Sequence, residues 1–430
     1  MGWVSRSHPQ LVAAIVASFS APRDEALRRL SAFAPEQWAR TESWLDTSGL
    51  ALYFAEVAHT RRLEGAVDPA LLARLQYKMG ENRKRLAEML RDFCAINQSF
   101  HSAGIHYVNL KGFTAYPDSC PDLSLRHQSD FDFLVAPADL TAARALLETQ
   151  GYKLTGATPH SLEFRSGSWI RKSLAGQYQA RYRPSAELHM AGAAAAPDPR
   201  LARLATWSWE GRPFPCLAPA DQLIGQGLHL LGHLRNEHTR VSWLLEYRHF
   251  VRARRNDSVF WSEVRTLANE RPDAATALGL STLLANALLG SFSPPQLNVW
   301  TVDQLAPGVR QWAEQYGRKA VLADVPGTKL YLLLEEALRE LPGKDSLHRT
   351  RRLIPLRFPR RMLPPIPRTS LRQRMRRGIA ELQFLAFRLR FHLREGLRFL
   401  VEARRWKRLR ASGPHPEKTS LFRRGQVHSE

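Results

Sequence analysis

Through residues 9–103, apolar residues recur at three- and four-residue steps, the pattern of helices that each bury one face. Breaks fall near Ala21-Pro22, Ala34-Pro35 and Gly65–Pro69. The last helix of this stretch is predicted from about Glu81 to Ser102, with Gly104 as its C-terminal stop. The period then shortens. Ile105–Leu110 reads as an apolar strand, and Asp130–Val135 (DFDFLV) as a second. Pro137-Ala138-Asp139 opens a helix ending at Gln150-Gly151, Tyr152–Leu154 begins another strand, and residues 161–190 alternate as strands do around Gly and Pro breaks. From Pro219 to about Gly343 the pattern is helical again, with stops at Gly279, Pro294-Pro295, Pro307 and Gly327. This order predicts an α+β fold, a small mixed sheet with helices packed on it, flanked by helical regions.

Four regions follow from the pattern: helical 1–103, a mixed core 104–216, helical 217–343 and a basic 344–430. Charge sharpens the last boundary. Of a formal net charge of +22, residues 344–430 hold 24 Lys+Arg against 6 Asp+Glu, a net +18. An anionic partner would therefore meet the tail. Within it, Arg351–Arg368 (RRLIPLRFPRRMLPPIPR) reads as an extended linker. Beyond lies a helix whose Met375, Ile379, Leu382, Ala386, Leu389, Leu393, Leu397 and Leu400 form one apolar stripe. Arginines 376, 377, 388, 390, 394, 398, 404 and 405 crowd the remainder, with Phe384, Phe387, Phe391 and Trp406 interleaved. Three uses are open: lying on an anionic membrane surface, binding RNA or another polyanion, or docking the stripe on the protein body.

Cys94, Cys120 and Cys216 are odd in number and lack CxxC or Cys/His zinc spacing, which fits a reduced, cytoplasmic setting, peripheral at the inner membrane face if the tail binds lipid. Leu11–Ala21 (LVAAIVASFSA) lacks a preceding basic run and is read as the first core helix. No apolar run approaches transmembrane length.

The chemistry concentrates between Val108 and Val135. Side chains alternate across a strand, so Asp130 and Asp132 share one face while Phe131 and Phe133 point to the other. Two carboxylates set this way can jointly hold a divalent cation, and hard oxygen ligands suit Mg²⁺. The plain alternative is an edge strand with its aspartates in water. His229 and His233 stand i, i+4 with His238 nearby, but without HExxH they read as the wall of a packed helix rather than as ligands. His189 is read as structural, with substrate orientation as the alternative.

Leu110-Lys111-Gly112, an arginine (Arg126) just before DFDFLV, and a helix running into Gly151-Tyr152 together resemble the uncharacterised nucleotidyltransferase family, a branch of the polymerase-β-like superfamily. The resemblance runs from about the N-terminus to about residue 300 and is sharpest over residues 105–190. It implies a polymerase-β-like core and a catalytic metal set of Asp130, Asp132 and a third carboxylate, for which Glu187 in SAELHM is the best candidate. It also implies Mg²⁺ or Mn²⁺ as cofactor, an NTP as donor, nucleotide contacts from Lys111, Gly112 and Arg126, and NMP transfer to an unknown acceptor. The chain departs from the superfamily pattern at Lys111-Gly112, where Gly-Ser is usual, in the long loop from Gly112 to Asp130, and in Glu for Asp at position 187. The Lys111-Gly112 replacement and the heavy basic tail keep a second class open: a non-catalytic nucleotide-, membrane- or polyanion-binding protein on the same fold.

Overall fold

The alternating segments assemble into one seven-stranded mixed sheet. Its strands are β1 (Tyr107–Asn109), β2 (Asp130–Val135), β3 (Tyr152–Ala157), β4 (Ser161–Ser166), β5 (Ser185–Met190), β6 (Leu204–Trp209) and β7 (Arg212–Leu217), in the spatial order β3-β4-β5-β2-β1-β7-β6. The structure, a computed structural model, describes residues 6–166, 177–179, 184–190, 192–193, 196–339, 353 and 371–411. The predicted linker Arg351–Arg368 lies outside these residues except for position 353.

The helices before the sheet are α1 (Pro9–Ala17), α2 (Arg23–Leu30), α3 (Pro35–Ser48), α4 (Ala51–Thr60) and α5 (Pro69–Ser102). The α5 helix begins twelve residues before the predicted Glu81. Asp68 caps it, accepting a hydrogen bond from the Leu71 amide at 2.8 Å, with Pro69 in the first turn. Gly80 sits inside the helix, where a single glycine is a tolerable loss of about 1 kcal/mol. One apolar face of α5 covers the sheet: Phe93 and Phe100 pack with Phe131 and Phe133 of β2 and with Ala186 and Leu188 of β5. The helix between β2 and β3, α6 (Leu140–Thr149), adds Ala143 and Leu147 to that core.

After the sheet come α7 (Pro219–Leu234), α8 (Val241–Ala253), α9 (Ser258–Asn269) and α10 (Ala274–Leu289). Contacts divide the chain into two compact units. The first comprises residues 1–232 and 240–304 and holds the whole sheet; the second comprises residues 233–239 and 305–430.

The second unit contains α11 (Pro307–Trp312), α12 (Tyr331–Leu338) and the 41-residue α13 (Leu371–Ala411). Its core takes in Trp312 and three aromatics of α13: Phe391, Phe399 and Trp406. Trp406 meets Tyr316 edge-on at 5.9 Å. Glu237 accepts from Lys329 at 3.0 Å and Arg388 at 2.9 Å, pinning α13 at a second point. The stripe expected from Met375 to Leu400 is not the docked face; Leu382, Leu389, Leu393 and Leu397 are exposed. Among the described residues no helix is long and apolar enough to cross a membrane.

Candidate metal and nucleotide site

Strand β2 lies between β1 and β5, antiparallel to the first and parallel to the second. The parallel register sets Asp130 against Ser185, Asp132 against Glu187 and Leu134 against His189. Alternation then sorts the faces. Phe131, Phe133, Ala186 and Leu188 enter the core, leaving Asp130, Asp132, Glu187 and His189 on the opposite face. The aspartates are therefore on an interior strand; the edge-strand alternative does not hold.

On that face, His189 Nε2 lies 3.2 Å from Asp132 Oδ1 and 3.7 Å from Glu187 Oε2. Lys111, in the turn after β1, places Nζ 3.3 Å from Asp132 Oδ2. The Asp132 side chain is only 1% exposed, whereas that of Lys111 is 42% exposed. Burial acts most strongly on Asp132 and pushes its carboxyl up. The His189 hydrogen bond and the Lys111 charge outweigh it and hold the carboxyl below its ordinary range.

One ligand atom each from Asp132, Glu187 and His189 falls within 4.8 Å of the others, a set able to hold a metal ion. Asp132 Oδ2 is also buried without a well-directed hydrogen bond, although Lys111 pairs with it electrostatically. An acceptor so placed fits a cation. Two carboxylates and an imidazole suit Mn²⁺ at least as well as Mg²⁺. Asp130 stands one register step away on the same face, outside this set.

The predicted phosphate-binding residues are placed as follows. Gly112 has φ +86°, and a Cβ there would sit 2.1 Å from Gln128 Nε2, so only glycine fits the turn. Gln128 in turn donates to the Asp130 carbonyl at 2.7 Å and accepts from Arg126. Arg126 is largely buried and directs Nε at both Glu246 oxygens, at 3.2 and 3.3 Å. Tyr53 donates to the same carboxylate at 3.1 Å. The thiol of Cys120 lies 3.2 Å from Tyr53 Oη, and burial pushes it up to about 12.

Arg126 also feels the Asp130 charge, as does Arg240, the residue preceding α8. Burial, then the like charge of Arg126, lowers the Arg240 pKa from its ordinary value. Sequence reasoning weighs His189 only as structural or substrate-orienting, and it does not single out Tyr53, Glu246 or Arg240. His189 carries a signal, since it stands two residues after Glu187 on a strand and must share its face. Glu246 and Arg240 carry none; they reach the site only because α8 packs beside it. The histidines of α7 are not part of a metal-capable group among the described residues, and His229 packs edge-on against Trp243 at 4.7 Å.

No curated protein matches the chain. Residues 34–290, more than half of its length, match an uncharacterised nucleotidyltransferase family. With the sheet, helices α3 to α10 and the carboxylate face all inside that match, this chain belongs to the uncharacterised nucleotidyltransferase family.

Proposed function

We propose that the protein is a Mg²⁺- or Mn²⁺-dependent nucleotidyltransferase that moves an NMP from an NTP to an acceptor nucleophile. The observation that carries this reading is the parallel register of β2 on β5, which sets Asp132 beside Glu187 and brings His189 to both. Asp132, Glu187 and His189 would hold the metal, with Asp130 supplying negative charge beside it. A bound divalent ion supplies Lewis-acid stabilisation of charge on the triphosphate.

The chain's own residues do the rest. The Lys111 ammonium, half out in solvent, leaves Asp132 for the phosphates as nucleotide arrives. Arg126 and Arg240 add positive charge on the Asp130 side. Gly112, whose left-handed backbone leaves room for the Gln128 side chain, shapes the turn that would face the triphosphate. The acceptor oxygen forms a bond to the α-phosphorus, the bond to pyrophosphate breaks, and the acceptor proton passes to the Glu187 carboxylate.

The test is label transfer from each α-³²P-NTP, with Mg²⁺ or Mn²⁺, into an extract of the source cell. Asp132→Asn and Glu187→Gln, which keep side-chain volume, should lose incorporation by at least about 100-fold. Equal incorporation by wild type and both variants would overturn the reading. One observation favours a second reading, a non-catalytic nucleotide-binding protein on this fold: Lys111 already pairs with Asp132, and His189 lies within hydrogen-bond distance of it, without a metal. Nucleotide binding that is indifferent to Mg²⁺ and Mn²⁺, with no transfer, would select it.

A further inference from the structure

The α13 helix presents two apolar faces, and among the described residues only one of them is buried. Phe391, Glu395, Phe399, Glu402 and Trp406 are buried against the second unit. At about 100° per residue, these positions lie on the side opposite the row formed by Ile379, Leu382, Leu389, Leu393, Leu397 and Leu400. Each residue of that row is between 52% and 67% exposed. An apolar row of this length left open to solvent marks an interaction surface.

Charge identifies the occupant. Arg390, Arg394, Arg398, Arg405 and Arg408 are exposed and flank the row, while Glu395 and Glu402 are turned to the inner face. Both acidic residues still reach outward to arginines, Arg398 at 3.6 Å and Arg405 at 3.2 Å, but neither offers negative charge to a partner on the apolar side. We infer that α13 docks on an anionic lipid bilayer, with its leucine row sunk in the interface and its arginines at the phosphate level.

Two rival occupants fit less well. RNA would be gripped by arginines with aromatic rings for stacking, yet Phe391, Phe399 and Trp406 are buried, and among the described aromatic side chains of α13 only Phe387 is exposed. A second copy would cover the leucines but bring two arginine rows together. The inference concerns attachment and stands whether or not the carboxylate site is catalytic.

The experiment uses the full-length protein and vesicles of phosphatidylcholine with and without phosphatidylglycerol. The protein should sediment with the anionic vesicles and stay in solution with the neutral ones. Leu389→Asp/Leu393→Asp/Leu397→Asp should weaken sedimentation at least ~10-fold, with an unchanged thermal melt because all three side chains are exposed. Should that variant melt differently, Arg390→Gln/Arg394→Gln/Arg398→Gln replaces it, and must lose the preference for anionic over neutral vesicles. No sedimentation of the wild type at low salt overturns the proposal. So does binding that the leucine variant retains in full, which would assign the tail to polyanions such as RNA. A concentration-dependent dimer abolished by the leucine variant, without vesicle binding, would assign the row to a second copy.

Discussion

Replacing Glu246 by alanine removes the carboxylate that joins Tyr53, Arg126 and the strand carrying Asp130. Glu246 is 8% exposed and accepts from Tyr53 at 3.1 Å and from Arg126 at 3.2 and 3.3 Å. The deleted hydrogen bonds are only part of the effect. The Arg126 guanidinium would stay buried with Arg240 close enough to repel it, and Asp130 would be the remaining negative charge in its environment. Removing one partner of a buried ion pair destabilises by about 3–5 kcal/mol. Glu246→Gln keeps volume and one acceptor, and should lose about 2 kcal/mol. Arg126→Met/Glu246→Leu removes both charges and fills the space, so it should lie within about 2 kcal/mol of wild type in stability. The assay is urea unfolding followed by far-ultraviolet circular dichroism and tryptophan fluorescence, fitted to the transition that the Glu246 variants move. The double variant should be less destabilised than the sum of the singles by at least about 2 kcal/mol. Additive losses, or a Glu246→Ala change below about 1 kcal/mol, would refute the view that this pair is what holds the loop before β2.

Two further outcomes follow from single positions. Gly112→Ala forces a side chain into left-handed backbone and onto Gln128, so it should destabilise the protein by about 1–3 kcal/mol and weaken nucleotide binding; a melting curve and a nucleotide titration that both match wild type would disprove the steric account. His249 has its pKa lowered to about 4 by burial, with Arg248 and Arg252 adding to the effect and the Ser119 carbonyl opposing it. The unfolded chain takes up that proton near pH 6.5 and the folded chain does not until about 4, so this contribution to stability is complete above pH 6.5 and fades as pH falls through that window. Between pH 7 and 5, wild type should lose about 2 kcal/mol more than His249→Gln in paired urea titrations; parallel pH profiles would count against it.

Much of the carboxylate face was legible in the order of residues, for a physical reason. A strand turns its side chains through half a revolution per residue, so the alternation in DFDFLV assigns Asp130 and Asp132 to one face and the phenylalanines to the core without any knowledge of the neighbours. The same rule places Glu187 with His189, and the histidine's part could have been read from ELH had it been applied there. Helix starts were less legible. The break ending at Pro69 was visible, yet Asp68 as the cap of a helix running unbroken through Gly80 was not, because one glycine is too weak a breaker to decide.

What the sequence by itself determined, then, is local and periodic: the αβ order, the shared face of the aspartates, and the concentration of positive charge after residue 343. Tertiary structure alone decided the rest. The parallel register of β2 on β5 selected Asp132, Glu187 and His189 as the close set, since register between strands separated by about fifty residues depends on the whole sheet. Packing of α4 and α8 beside the site supplied Tyr53 and Glu246 as partners for Arg126, contacts spanning up to 193 residues that no local pattern encodes. In α13 both apolar faces obey helical spacing, and periodicity cannot rank them. Only the fit of Phe391, Phe399 and Trp406 into the second unit determined which face is inside, and so left the leucine row facing out.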